Sequence, residues 1–213
     1  MKYEWKKHEK ELYNIKSIPS IIVVPKQKFL MISGKGNPNK PDFSERVGVL
    51  NSLAWPIKMR HKAFCSKKLP ENQFQYEDYT VFPLEGVWTS AENNPLDKDS
   101  FEYTIMMRQP DFITQEMFIA AYSAVEKKKP HPLLGEVVFD SMEDGLCVQM
   151  LHIGSFDTEP ESFEKMELFI KDNGFERIDH VHREIYLTDA RKIEPAKYRT
   201  ILRYRIKNSK VDI

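Results

Sequence analysis

Leu30-Met31-Ile32-Ser33-Gly34 and Met150-Leu151-His152-Ile153-Gly154 are two similar stretches of this chain, and Gly34 meets Gly154 at an offset of 120 residues. The likeness continues without a gap, because residues 41–47 fall on residues 161–167, and Phe43 meets Phe163. A repeat this long is not a solenoid unit. It indicates two half-domains that pack face to face and enclose a cleft.

Each half of the repeat shows the order strand, helix, strand, strand. In the first half, strands are predicted at residues 21–24, 28–32, 84–89 and 101–108, and a helix at 41–59. In the second half, strands are predicted at residues 137–141, 146–153, 182–187 and 198–206, and a helix between 158 and 173. Pro56 is expected to kink or end the first helix. A hairpin is expected across residues 143–145, and a crossover helix at 114–129 joins the halves.

These elements predict an α+β fold, in which the duplicated module forms a curved, mostly antiparallel assembly of eight strands. Helices would cover one face and leave a central ligand groove between the modules. Residues 1–18 are predicted to be an N-terminal extension with a short helix. Residues 19–208 would form one domain with two pseudo-symmetric halves, about 19–112 and 113–208.

Composition excludes several classes of protein. The 213 residues contain 32 Lys plus Arg and 32 Asp plus Glu, so the net charge is zero, which argues against direct nucleic-acid binding. No apolar run reaches the ~18 residues of a membrane span, and residues 1–8 lack the apolar core of a signal peptide. We therefore expect a cytoplasmic protein without a membrane partner, a monomer or weak dimer. Cys65 and Cys147 are expected to be reduced, buried thiols.

Glu184 is the first candidate for chemistry, because it interrupts a strand rich in β-formers and alternates with Tyr186. A buried carboxylate costs several kcal/mol unless it is paired. Glu184 is therefore either a cation acceptor or proton-transfer group, or an exposed glutamate paired with an arginine. Glu85 is its expected counterpart in the first half, and the two carboxylates would approach one cleft as an acid/base pair. The alternative for Glu85 is a glutamate at a strand edge.

Aromatic side chains, most of them with hydroxyl or N–H tips, could line the groove and suit a planar aromatic ligand, or each could be an ordinary core residue. The candidates are Trp88, Tyr103, Tyr122, Phe156, Tyr186 and Tyr204. His152 replaces the apolar Ile32 of the first half, so it is a further candidate, either as a ligand-binding group or as a hydrogen-bonded core histidine. His180 and His182 have strand-like spacing but no third ligand beside them, so no metal is expected. No phosphate loop or nucleophile elbow is present, and no cofactor is expected.

With the repeat and these residues in view, the chain resembles the GyrI-like small-molecule-binding family over nearly all of residues 20–208. The resemblance depends on the duplication, on residues 152–156 before the second helix, and on the acidic residue within 183–187. Residues 83–88 and 107–112 resemble a stand-alone branch of that family, whose members are similar to hydrolases of cyclopropane-bearing, DNA-alkylating antibiotics of the yatakemycin type.

The resemblance implies a groove that binds planar or cationic drugs, with Glu184 at its base. It also implies a cofactor-independent reaction, in which Glu184 or Glu85 activates water against the cyclopropane and a tyrosine such as Tyr186, Tyr103 or Tyr122 donates to the developing oxyanion. Trp88 and Phe156 would stack on the drug. Two alternatives stay open: a protein that binds or senses an aromatic cation without turnover, and a protein-interaction module that contacts a topoisomerase.

Overall fold

The computed structural model describes residues 1–67, 75–89 and 97–209. Within these residues the strands, in chain order, are β1 (Lys2–Tyr3), β2 (Ser20–Val24), β3 (Gln27–Lys35), β4 (Asp78–Tyr79), β5 (Leu84–Thr89), β6 (Glu102–Gln109), β7 (Val138–Met142), β8 (Gly145–Ile153), β9 (Phe175–Arg177), β10 (His182–Tyr186) and β11 (Arg199–Asn208). The helices are α1 (Trp5–His8), α2 (Lys10–Tyr13), α3 (Pro41–Cys65), α4 (Gln115–Lys128) and α5 (Glu159–Asp172).

Helix α3 is longer than its sequence pattern predicts, because Pro56 does not end it. Proline removes one backbone donor and normally disrupts a helix interior. Buried side chains on both sides of Pro56 keep the helix on the sheet: Leu53 and Ala54 before it, and Ile57 and His61 after it. Tertiary packing therefore carries α3 through to Cys65.

One large antiparallel sheet organises the protein and confirms the predicted α+β class. Its strand order is β2-β8-β11-β10-β5-β6-β3-β7, and β9 adds a short ninth strand beside β11 among the described residues. The sheet is curved and open, and the two halves meet where β5 pairs with β10. A separate parallel pair joins β1 to β4.

The first strand of each half is exchanged between the halves. Strand β2 pairs with β8 of the second half, and β7 pairs with β3 of the first half. The hairpin predicted across residues 143–145 is therefore wrong: β7 and β8 follow each other in the chain, but β7 forms one edge of the sheet and β8 lies second from the other edge. Because β2 and β7 each form backbone hydrogen bonds with a strand of the other half, the two halves are interlocked rather than merely adjacent.

The two faces of the sheet have different coverings. Helices α3 and α4 cover one part of the first face, around Leu50 and Ile105, and α5 covers another part, around Met166 and Leu202. The N-terminal segment, residues 1–16, covers the opposite face through Trp5, Leu12 and Tyr13. We call these the helix face and the N-terminal face.

Both cysteines, Cys65 and Cys147, are free and buried, as expected from their sequence context. Across the described ranges, the model contains no helix with the length and apolarity of a membrane span.

Candidate functional site

Strand β10 sends alternate side chains to the two faces of the sheet. Glu184 pairs with Leu202 on one side and with Gly86 on the other, so it lies on the helix face together with His182 and Tyr186. Arg183 and Ile185 point to the N-terminal face. Glu184 therefore stands on the central strand pair, where the two halves of the chain meet.

Glu184 is held by its own strand neighbours. Its Oε1 lies 3.0 Å from Nε2 of His182, and Tyr186, two residues further along the strand, lies on the same face beside it. Only 8% of the residue is exposed. A carboxylate with two fixed polar neighbours and little solvent is oriented in advance for proton transfer.

Helix α5 runs over β10 so that a second carboxyl group faces Glu184. The Phe163 ring packs edge-on against His182, with ring centroids 5.0 Å apart, and Phe156, just before the helix, packs against Tyr186 at 5.9 Å. Four residues of an α-helix rise about 6 Å, nearly the spacing of about 7 Å between alternate strand residues. Glu159 lies one turn before Phe163, between the two residues that make these ring contacts, which places its carboxyl group near Glu184.

Glu159 has the features of a neutral carboxylic acid. It is 7% exposed, and its Oε1 is buried without a hydrogen-bond partner among the described residues. Burial raises the pKa of Glu159 well above its usual value, and the charges of Glu184 and Asp157 raise that pKa further. A carboxyl group with a raised pKa near a second carboxyl group suits the role of the acid in an acid/base pair.

His152 fixes the start of α5, where Glu159 is located. Its Nε2 lies 3.0 Å from the backbone oxygen of Ser155, and its Nδ1 lies 2.9 Å from the hydroxyl of Ser162. Because a carbonyl oxygen only accepts, Nε2 carries the proton and donates it, and Nδ1 accepts from Ser162. His152 therefore acts on the site through the position of α5, as the hydrogen-bonded core histidine that the sequence allowed.

Trp88 reaches the site from the first half of the chain. Its indole Nε1 donates to the Tyr186 hydroxyl at 2.9 Å, across Gly86. A Cβ atom at Gly86 would stand 2.5 Å from that nitrogen, so only glycine allows this contact. Burial and the charge of Glu184 raise the pKa of Tyr186 well above its usual value, which keeps the hydroxyl protonated.

A group of aromatic rings continues from Trp88 towards the start of α3. The Trp88 ring stacks on Phe43 at 5.8 Å and contacts Tyr103 at 5.1 Å. The Tyr103 hydroxyl donates to Asp42 at 3.2 Å, and burial, with the nearby Asp42 charge, raises the pKa of Tyr103 to about 12. Phe43 and Phe163, the two phenylalanines matched by the repeat, therefore both contribute rings to the region around Glu184.

Glu85 does not converge with Glu184, and the expected pairing of the two carboxylates is corrected here. It pairs with Ile185, so it lies on the N-terminal face. There Glu85 is fully buried and accepts from Nε of Arg183 at 2.7 Å. Because side chains alternate along a strand, an offset of one residue places a group on the other face. The position opposite Glu184 is Gly86.

Tyr122 lies away from Glu184, whereas the ring of Tyr204 lies 6.3 Å from Phe163 at the border of the site. Tyr122 packs on α4 beside Phe118, whose ring stacks on Phe139 in the edge strand β7. Tyr204 lies beneath α5 in the core of the second half, with the Arg177 guanidinium 4.3 Å above its ring. Both are core residues in this structure.

The site is closed by its own side chains. Two surface pockets, of about 340 and 290 Å³, share Ser33 and Thr104 in their linings, and neither is lined by Glu184. Of the predicted groove residues, Trp88, Tyr103, Phe156 and Tyr186 do come together, but their side chains contact one another. A ligand has to separate Trp88 from Tyr186, and Phe156, which is 39% exposed, lies at the outer end of this contact.

Sequence reasoning missed Glu159 and Phe163 as site residues and considered His182 only as a metal ligand. An acidic residue at a helix start is ordinarily explained by the helix dipole. The available signal was the spacing of four residues between Glu159 and the inward-facing Phe163, which places both on the same side of α5.

Buried acidic groups enclosed by aromatic rings, between two helices on a sheet, define a site for a small organic molecule. A family model described as GyrI-like small molecule binding domain matches residues 18–207, and the chain belongs to this GyrI-like family.

Three crystal structures of Listeria innocua proteins are 36% identical to this chain. One, described as a hydrolase, has a TM-score of 0.83 and aligns over 96% of this chain and 100% of its own. A second, described as an uncharacterized conserved protein, has a TM-score of 0.86 at the same coverage. A third, also described as a hydrolase, has a TM-score of 0.84 and covers 97% of this chain and 100% of its own. No curated protein matches the chain.

Proposed function

We propose that this protein hydrolyses cyclopropane-bearing, DNA-alkylating compounds of the yatakemycin type and thereby protects the cell that makes it. The observation that carries the proposal is Glu184, a buried carboxylate oriented by Tyr186 and His182 and enclosed by aromatic rings. Two similar structures at 36% identity are described as hydrolases, which supports an enzymatic role.

The electrophile in such a compound is a cyclopropane conjugated to a dienone. Water adds to the ring methylene carbon, the ring carbon–carbon bond breaks, and its electron pair converts the dienone into a phenolate. Glu184 takes the proton of the attacking water, a role that contributes about 10²–10⁴-fold. Trp88 and Phe156 flank Tyr186 and provide ring faces for the flat drug once the site opens.

Tyr186 is the donor for the developing phenolate. Its hydroxyl stays protonated because burial and Glu184 raise its pKa, and the Trp88 N–H bond to its oxygen fixes its orientation. A proton lost from Tyr186 is replaced by the proton that Glu184 has taken from the attacking water. The pair therefore returns to its starting state after each turnover, and no cofactor takes part.

Turnover is the test of this proposal. Purified protein incubated with a large molar excess of the cyclopropanoid should form the water adduct in amounts far above the amount of protein, as measured by mass spectrometry. Product that never exceeds the protein, or drug that remains intact, would contradict the proposed hydrolase.

A second candidate function is the retention of a planar cation without turnover. The observation that favours it is the negative charge of Glu184 among aromatic rings, a combination that binds organic cations. This function predicts tight binding of a planar cationic dye, a decrease in affinity for Glu184→Gln, and no product from the cyclopropanoid.

A further inference from the structure

Glu159 has no part in the cyclopropane reaction described above, although it is the most unusual carboxyl group of the site. It faces Glu184 from α5, it is 7% exposed, and its Oε1 has no partner among the described residues. A buried polar atom without a hydrogen-bond partner is destabilising. Such a cost indicates that a bound molecule completes the hydrogen bonding of this atom.

The relative position of the two carboxyl groups restricts the reaction they suit. Both carboxyl groups belong to the region between α5 and β10 that contains the Phe163–His182 and Phe156–Tyr186 contacts. In the dienone substrate, the oxygen that receives a proton is separated from the attacked carbon by a conjugated ring. A proton donor near the base suits a different substrate, one in which the leaving atom is bonded directly to the attacked carbon.

We propose that the Glu159–Glu184 pair also hydrolyses aryl epoxides, flat aromatic molecules in which the strained ring contains its own leaving oxygen. The inference rests on the proposed role of Glu184 as the base. The surrounding rings of Trp88, Phe156 and Phe163 select an aromatic epoxide over an alkyl one, because they offer flat apolar faces.

The reaction is balanced without a further reactant. The water oxygen forms a bond to the benzylic ring carbon, the carbon–oxygen bond of the epoxide breaks, and its electron pair goes to the ring oxygen. Glu184 takes one proton from the water, and Glu159 donates its proton to the ring oxygen. The product is a trans-diol. One proton then passes from Glu184 to Glu159, which restores both groups because they face each other.

The experiment compares three substrates on one preparation of the full-length protein: phenanthrene 9,10-oxide, 1,2-epoxyhexane and the cyclopropanoid. The phenanthrene epoxide should be converted to its trans-diol in many turnovers, and 1,2-epoxyhexane should react at the buffer rate. In ¹⁸O-labelled water, a single turnover should place the label in the diol, because water attacks directly. Glu159→Gln should lower kcat for the aryl epoxide by at least about 100-fold.

Glu159→Asp provides a second variant should the glutamine variant not fold. It keeps the carboxylic acid on a side chain that is shorter by one methylene. Its kcat should lie between those of the wild type and the Glu159→Gln variant. If the Glu159→Gln variant does not fold, the kcat of Glu159→Asp should be at least tenfold below that of the wild type. Circular dichroism verifies that each variant is folded.

An aryl epoxide that stays intact while the cyclopropanoid is turned over would overturn this inference alone. Epoxide turnover without cyclopropanoid turnover would support it and remove the cyclopropane proposal. A wild-type protein that turns over neither the aryl epoxide nor the cyclopropanoid would contradict both proposals. Epoxide turnover that Glu159→Gln leaves within twofold of wild type would overturn the assigned role of Glu159.

Discussion

Replacing Glu184 by glutamine is expected to lower kcat for cyclopropane opening by at least about 100-fold. Glutamine has nearly the same shape, but it cannot take a proton from water. The substrate still meets the same aromatic rings, so its dissociation constant should change by less than about tenfold. Steady-state kinetics and a direct titration with the substrate measure the two quantities.

Glu164→Gln is the matched control, because Glu164 is an exposed residue of α5. Its kcat should equal that of the wild type. A Glu184→Gln variant that retains more than a tenth of the wild-type kcat would show that Glu184 is not the base. A change in affinity alone would favour the binding function over the hydrolase.

Replacing Arg183 by methionine is expected to lower the free energy of unfolding by about 3–5 kcal/mol. Arg183 donates to Glu85 and, at 2.6 Å, to Asp144, and it is almost completely buried on the N-terminal face. Without the guanidinium, the carboxylate of Glu85 is left buried and uncompensated. Urea unfolding followed by circular dichroism measures the loss.

The double variant Arg183→Met, Glu85→Met should recover part of this loss, because it removes both buried charges together. The same cycle tests the assignment of Glu85 as a structural residue. A Glu85→Gln variant that unfolds at the wild-type urea concentration but loses turnover would contradict that assignment and restore Glu85 as a catalytic candidate.

The duplicated architecture was predictable because apolar periodicity and the shared glycine are local features of the sequence. The exchange of the first strands between the two halves was not predictable. Strands β2 and β7 each have a pattern that fits several neighbours, and only the complete sheet decides that β2 joins β8 and β7 joins β3. Likewise, Pro56 locally disfavours a helix, but the burial of one face of α3 stabilises the helix through this position.

The candidate site shows the same limit. Glu184 was found because an acidic residue interrupts an apolar strand, and the alternation that places Tyr186 beside it is local. Its partner was missed because facing contacts between a helix and a strand depend on tertiary packing. Glu85 has the expected carboxylate but lies one residue out of register with Glu184, on the other face of the sheet. The residue opposite Glu184 is Gly86, which has no side chain that could have indicated a role.

The central claim is that Glu159 stays protonated at neutral pH because it is buried against the charge of Glu184. Side-chain ¹³C NMR of glutamate-labelled protein, with Glu159 assigned by comparison with Glu159→Gln, measures this directly. The Glu159 carboxyl carbon should remain at its protonated shift at pH 7, and Glu184→Gln should lower the pKa of Glu159. An ordinary titration of Glu159 that is insensitive to Glu184→Gln would contradict the facing acid/base pair.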